Sequence, residues 1–395
     1  MAKSVRNQLL IKIKKALVFV VEKLHIRREY ILFESYPELD GSPWMIYREL
    51  INRGFDKRYK LRWLVDKSFK APPNVPCVTF FNGSFLQKVN CYYLLAKAKV
   101  IVDSNRWVYK TNQKTFRLHT KHGAPLKNVY FYDSKLGNVD AVLSLSEELI
   151  GIQEKDSPSA KGKIIPLGYP TNDRLFENVD LYKLGFWEKI TGQKEKFDRI
   201  IGWLPTYRQH RNGNKSARAS FVHPYGIPII KHKDELENLN EVLKTKNALL
   251  AIQIHPAQMK NFSDFSYSNI VFIPQSLKYE MNISTINLMR SFDAMITDYS
   301  TAYHEFLLLD RPIGLSIDDY DVYYKKPGFC LDYFAWIKGF YIKKFDDLLV
   351  FIQDTLEGRD VARSERESAL LRIHKNRDAR STIRVVDYLI RAAKL

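Results

Sequence analysis

Five stretches of the sequence carry side chains suited to chemistry, and each stands where an apolar, strand-like run gives out. In His119-Thr-Lys-His-Gly-Ala-Pro-Leu-Lys127, which follows Phe116-Arg-Leu118, His122 offers an imidazole, the side chain best matched to proton transfer near neutral pH. Gly123 beside it permits close approach to the backbone. Leu204-Pro-Thr-Tyr-Arg208 ends in a guanidinium able to clamp a phosphate through two parallel hydrogen bonds. Ile254-His-Pro256 brings a second imidazole, His255. Ile296-Thr-Asp-Tyr-Ser-Thr301 supplies Asp298, Ser300 and Thr301 and runs into a helical pattern, Ala302–Leu308, that contains Glu305. Hydroxyls and free N–H groups at a helix start attract anions, although Ser and Thr are also routine N-caps there. The fifth stretch, Leu167-Gly-Tyr-Pro-Thr-Asn-Asp-Arg174, reads chiefly as a structural turn.

Alternating elements must position these residues. Candidate strands are Tyr30–Glu34, Leu61–Val65, Val100–Asp103, Phe116–Lys121, Ala141–Leu145 and Ile164–Leu167, with helical patterns such as Pro43–Asn52 and Phe85–Lys97 between them. A second series follows: Ile200–Leu204, Leu249–Ile254, Ile270–Ile273, Ala294–Thr297 and Pro312–Ser316, with helices at Ile286–Ser291 and Ala302–Leu308. Such alternation predicts parallel α/β sheets, whose ligands bind at the carboxyl ends of the strands. The polar stretch Glu177–Asp198 divides the series, so two doubly wound, Rossmann-like domains facing a cleft are expected. The expected boundaries are 1–29 for an N-terminal helix, 30–176 for the first domain, 199–358 for the second, and 359–395 for helices that pack back on the domains. Gln209–Lys231 reads as an exposed basic loop, and Asp318-Asp319-Tyr-Asp321 as a solvated acidic one rather than a metal site.

Composition narrows the function classes. The chain has 395 residues, enough for two to three domains at ~150 residues each. A net charge of +18 calls for a polyanionic partner: nucleic acid, an anionic membrane or phosphorylated substrates. Cys77, Cys91 and Cys330 show no metal-ligand or disulfide spacing, which fits a reducing cytoplasm. No Walker A, GxGxxG, GxSxG or HExxH motif occurs, so neither metal nor cofactor is assigned. Basic side chains are not interleaved with aromatics as in stacking platforms, and no HTH, RRM or KH signature is present. Nucleic acid is therefore not expected as a partner.

Residues 3–28 carry Lys3, Arg6, Lys12, Lys14, Lys15, Lys23, Arg27 and Arg28 against the single acid Glu22. On a helical wheel Leu9, Leu10, Ile13, Leu17, Val20, Val21 and Leu24 gather on one side, opposite Lys12, Lys14 and Lys15, with Phe19 as the exception. A basic amphipathic helix of this kind either lies in an anionic membrane interface or packs on its own domain with solvated lysines. Its longest apolar run, Ala16–Val21, is six residues, too short for a span or an export signal.

Together, His122-Gly-Ala-Pro-Leu-Lys127, Gly168-Tyr-Pro-Thr-Asn-Asp-Arg-Leu175, Pro205-Thr-Tyr-Arg208, His255-Pro256 and Thr297-Asp-Tyr-Ser-Thr301 resemble, in order, the motifs of CDP-glycerol glycerophosphotransferases. Phe33-Glu-Ser35, Leu308-Leu-Asp-Arg-Pro312 and Pro327-Gly-Phe329 also match, so the resemblance covers roughly residues 30–355. Ala124 stands where the family usually has Thr, Thr171 where Arg is common, Thr301 where a second Ser is frequent, and Glu305 in place of Asp. The resemblance implies a GT-B architecture. It also implies His122 as catalytic base, His255 as a second catalytic histidine, and a donor-phosphate site of Gly123, Arg208, Asp298, Ser300, Thr301 and Glu305.

The implied reaction moves glycerol phosphate from CDP-glycerol to a hydroxyl of a lipid-linked saccharide or polyol-phosphate acceptor. CMP is released, in teichoic acid or capsule synthesis at the cytoplasmic face of the membrane. A CDP-ribitol-dependent transferase on the same scaffold is the alternative within the class; a non-enzymatic nucleic-acid binder is the alternative outside it. The length, little more than the transferase core, leans toward priming rather than polymerisation.

Overall fold

The computed structural model describes residues 2–106, 108–121, 123–128, 136, 138–206, 227–253, 266–325 and 327–395, with side chains from residue 8 onward. The chain divides into two compact units. The first comprises residues 1–124, 130–173 and 375–395; the second comprises 125–129 and 174–374.

Unit 1 is built on strands β1 (Tyr30–Phe33), β2 (Lys60–Asp66), β3 (Cys77–Phe81), β4 (Ala98–Asp103), β5 (Phe116–His119), β6 (Ala141–Leu143) and β7 (Ile164–Ile165). They form one parallel sheet in the order β3-β2-β1-β4-β5-β6-β7. β1 and β6 are buried along their whole length, as expected of strands covered on both faces. The winding reverses between β1 and β4.

Unit 2 carries β8 (Arg199–Leu204), β9 (Ala248–Ile252), β10 (Ile270–Phe272), β11 (Ala294–Thr297), β12 (Ile313–Ser316) and β13 (Phe340–Ile342). Their order is β10-β9-β8-β11-β12-β13, again all parallel, with the reversal between β8 and β11. This is the doubly wound order whose crevice at the reversal receives ligands. At Gly202, in the middle of β8, a Cβ would stand 2.1 Å from the Phe292 ring, so only glycine lets this strand lie so close to that ring.

Several connecting segments differ from their sequence reading. Within the polar stretch between the two strand series, Leu181, Phe186 and Trp187 are buried, and a short helix, Phe186–Thr191, forms in unit 2. Most of the segment Gln209–Lys231 lies outside the described residues. Its end is not an exposed loop, because Ile227, Ile229 and Ile230 are buried in the unit 2 core. Gly226 before these isoleucines and Pro228 among them hide the apolar pattern from any periodicity test. The acidic loop is not solvated either: Asp319 is buried and accepts the Tyr299 hydroxyl at 2.8 Å, and Asp318 accepts the Ile229 N–H at 3.2 Å.

The turn after β7 serves the chain's last helix. Asp173 accepts the N–H groups of Ser381 (3.0 Å) and Thr382 (2.7 Å), capping the helix Ser381–Ala393 from a distant part of unit 1. At the other terminus the helix Ala2–Lys23 packs along the helix Phe85–Ala96. The expected single apolar side is split: Leu10 and Val21 are buried, while Leu9, Val20 and Leu24 are exposed beside Phe19.

Candidate functional site

The carboxyl ends of β8 and β11 lie side by side, and a buried acid joins the loops that follow them. Asp298, the first residue after β11, is fully buried. Its carboxylate accepts the Thr206 N–H at 2.9 Å, the Thr206 hydroxyl at 2.6 Å and the Tyr299 N–H at 2.5 Å. The strands themselves are tied where they end, the Thr297 hydroxyl donating to the Leu204 carbonyl at 2.9 Å. Pro205-Thr206 and Tyr299-Ser300-Thr301 are thereby fixed on each other.

Aromatic rings brace this loop from below. Tyr299 stacks on Tyr323 with centroids 4.0 Å apart and touches Phe329 and Tyr333. The Tyr333 hydroxyl donates to the Asp298 carbonyl at 3.1 Å. Burial and the neighbouring Asp319 push the Tyr299 hydroxyl far up, so it stays a neutral donor.

Ser300 and Thr301 are half-buried at the start of the helix Ala302–Leu307. The Ser300 hydroxyl accepts the Ala302 N–H at 3.3 Å, whereas Thr301 makes no side-chain cap. Glu305 is buried within this helix, and burial pushes its carboxyl up to about 8. The native group therefore keeps its proton near neutrality, while the unfolded chain releases it near 4.5. Stability from this group is present below the lower value and fades as pH rises toward about 8. Glu305→Gln is expected to remove that decline, on the order of 4 kcal/mol at its fullest, measured by urea unfolding at pH 5 and pH 8.5.

The segment after His122 also reaches this aromatic cluster. Gly123 sits on a bend after β5, and Pro125–Val129 belongs to unit 2. Lys127 pairs with Phe329 as an antiparallel bridge, the Asn128 N–H donates to the Gly328 carbonyl at 3.2 Å, and the Cys330 N–H to the Leu126 carbonyl at 3.1 Å. Two stretches far apart in sequence thus meet around Phe329. His122, Arg208 and His255 lie outside the described residues.

Unit 1 holds a second buried network at the carboxyl ends of β1, β4 and β5, which sequence reasoning missed. Asp103 pairs with Arg117 at 2.7 Å and with His119 Nδ1 at 3.2 Å, all three shielded from solvent. Despite its burial, Asp103 is held down at about 2 by Arg117 and His119. Glu34 accepts the N–H groups of Ser104, Asn105 and Arg106, which fixes the loop after β4. Burial and the charge of Asp103 push Glu34 up to about 7. The available signal was that Glu34 and Asp103 each end a strand-like run and that His119 lies near the end of a third.

Among the described residues no group of three or more His, Cys, Asp or Glu could hold a metal ion. No helix among them is long and apolar enough to cross a membrane.

The model of the family described as CDP-Glycerol:Poly(glycerophosphate) glycerophosphotransferase matches residues 16–391. The chain belongs to this family. It is 24% identical over 378 residues to a teichoic acid poly(glycerol phosphate) polymerase of Bacillus subtilis (strain 168), covering 88% of this chain and 47% of that one. It is 23% identical to the teichoic acid ribitol-phosphate polymerase TarL of Staphylococcus aureus, covering 94% and 64% of the two chains. A teichoic acid glycerol-phosphate transferase of S. aureus is 25% identical, with coverage of 79% and 80%. The chain thus spans about half to two thirds of the length of the two polymerases. The solved structure of the wall teichoic acid polymerase TagF has a TM-score of 0.73 at 17% identity, covering 100% of this chain and 96% of that one. A putative UDP-N-acetylglucosamine 2-epimerase from Listeria monocytogenes follows at a TM-score of 0.51 and 12% identity, covering 93% and 98%. These likenesses agree with a GT-B-like pair of Rossmann-like domains. The family's relatives act with glycerol phosphate and with ribitol phosphate alike.

Proposed function

We propose that this chain is a polyol-phosphate transferase of teichoic acid or capsule synthesis that uses CDP-glycerol. An acceptor hydroxyl oxygen bonds to the glycerol-bearing phosphorus as the bond from that phosphorus to the CMP oxygen breaks. The hydroxyl proton passes to His122, and the electron pair leaves with CMP. The single observation that carries this reading is the Asp298–Thr206 lock at the reversal point of the second sheet, inside a family match over residues 16–391. It supports reading Ser300 and Thr301 as lining a ligand crevice, next to the run that continues in sequence to Arg208. In this reading Arg208, His255, Ser300 and Thr301 meet the donor phosphates and the departing CMP, and Gly123 gives the donor room near the base. Asp298 orients the loops without touching phosphate, since a carboxylate would repel it. A protonated Glu305 donates to a donor hydroxyl.

CDP-ribitol is the competing donor, because ribitol-phosphate polymerases are about as similar as the glycerol ones. Incubation with each donor and a lipid-linked acceptor, with CMP and product length followed, tests both. Acceptor-dependent CMP release from CDP-glycerol is expected. A preference for CDP-ribitol would move the assignment, and silence with both donors would sink it.

The acceptor is read as lipid-linked or polymeric, and the first helix as its route to the membrane. Exposed Leu9, Phe19, Val20 and Leu24 alternate with exposed Lys12, Lys15 and Lys23, a pattern suited to an anionic interface. Changing those four apolar residues to Ser spares the packed Leu10 and Val21. It is expected to cut co-sedimentation with anionic vesicles by about tenfold or more, at ~0.8 kcal/mol per lost CH₂. Unchanged sedimentation would remove the helix from membrane contact.

A further inference from the structure

The stretch Leu308-Leu-Asp-Arg-Pro312 takes no part in the donor site. It opens β12, and with Arg199 at the start of β8 and Asp293 before β11 it marks the amino ends of the unit 2 strands. That edge is about 20 Å from the crevice, the length of a six-residue strand. A cavity of about 380 Å³ opens there, in which five arginines face three aspartates.

Most of these charges are spent on each other. Arg366 is 1% exposed, and donates to the Arg311 carbonyl (2.9 Å), to Asp360 (2.9 Å) and to Asp310 (2.8 Å). At the mouth Arg359 pairs with Asp354 and Glu357, and Arg363 with Glu367. Asp293 accepts the Ile200 N–H and lies 3.9 Å from Arg199. Arg311 differs. One of its nitrogens donates to the carbonyls of Arg290 and Phe292, and among the described residues no carboxylate lies within ion-pair distance and no partner meets its other N–H groups. Burial lowers its proton affinity, and the charge of Asp293 beyond ion-pair distance offsets this only in part. Thr355 lines the same cavity, and its buried hydroxyl has no hydrogen-bond partner among the described residues. A guanidinium without an ion-pair partner and an unpaired buried hydroxyl on one cavity each cost free energy that a single oxyanion would offset.

We infer that this cavity is a second oxyanion site, separate from the donor crevice, which takes the phosphate group of a small phosphorylated ligand or of a polyol-phosphate segment. Arg311 supplies the charged donors, Thr355 a hydroxyl, and Arg359 and Arg363 guard the mouth. The inference does not depend on the transferase reading, since every group it uses lies at the opposite edge of the sheet.

The test is calorimetric titration of the full chain at constant ionic strength, with excess CDP present to occupy a nucleotide site. Inorganic phosphate, glycerol 3-phosphate and a short glycerol-phosphate oligomer are the probes. Saturable binding in the millimolar range or tighter is expected. It should weaken about tenfold in Thr355→Val, which removes one donor to a charged group, and more in Arg311→Gln. Should Arg311→Gln fail to fold, Thr355→Val and Arg363→Gln carry the test. Tighter binding of the oligomer than of glycerol 3-phosphate identifies a chain segment, and equal binding a single phosphate group. Absence of saturable binding, or equal affinity in the wild type and all folded variants, overturns the site. Loss of transferase activity with phosphate binding intact would sink only the functional proposal.

Discussion

His122→Ala is expected to lower acceptor-dependent CMP release by ~10²–10⁴-fold, the range of a lost general base, with CDP-glycerol affinity held within about threefold. The two quantities separate because every side chain assigned to the donor phosphates follows β8, β9 or β11 in unit 2, while Gly123 of unit 1 serves through its backbone, which the substitution leaves unchanged. His122 is followed three residues later by the segment that pairs with Gly328–Cys330, so the chain on its carboxyl side is anchored by backbone bonds independent of the imidazole. An alanine leaves those bonds in place. Pre-steady-state CMP release, with and without acceptor, together with equilibrium donor binding, reads both quantities. Wild-type release in the presence of acceptor would take the base role away from His122. A parallel loss of donor affinity would make it a binding residue instead.

The fold was legible where strands are buried on both faces. β1, β6 and β9 are continuous apolar runs, as is β11 up to Thr297, and their alternation with helices predicts the two parallel sheets. The two strands that sequence reasoning missed, β3 and β13, are terminal in their sheets. Edge strands are half-buried: every residue of β3 is intermediate in exposure, and β13 has three residues. Such short, half-covered segments give no periodic signal. The chemistry of the site was legible as residue types at strand ends, because parallel sheets present ligands there. What holds those residues was not. Thr206 and Asp298 are 92 positions apart, and nothing local distinguishes a carboxylate that meets a ligand from one consumed by a neighbouring loop. Asp103, Arg117 and His119 were hidden for the same reason, since their charges cancel only once β4 and β5 lie side by side.

Asp298→Ala is expected to cost about 3 kcal/mol or more of folding stability, at ~1–3 kcal/mol for each buried donor left unpaired. Three donors depend on this carboxylate: the Thr206 N–H, the Thr206 hydroxyl and the Tyr299 N–H. Alanine offers none of them an acceptor, and the Tyr299–Tyr323 stack limits how far the loop can move to reach water. Thr206→Val isolates the functional share. It removes the hydroxyl bond at 2.6 Å but keeps the backbone N–H on Asp298, so unfolding should shift by about 1–2 kcal/mol. If the lock sets the donor crevice, Thr206→Val should raise the KM for CDP-glycerol more than it lowers kcat. If the lock only holds the fold, both constants in the folded fraction should match the wild type. Urea unfolding and steady-state kinetics on the same preparations separate these outcomes. Asp298→Ala with unchanged stability would show that another group satisfies the three donors and that the two loops are held together by the aromatic cluster alone.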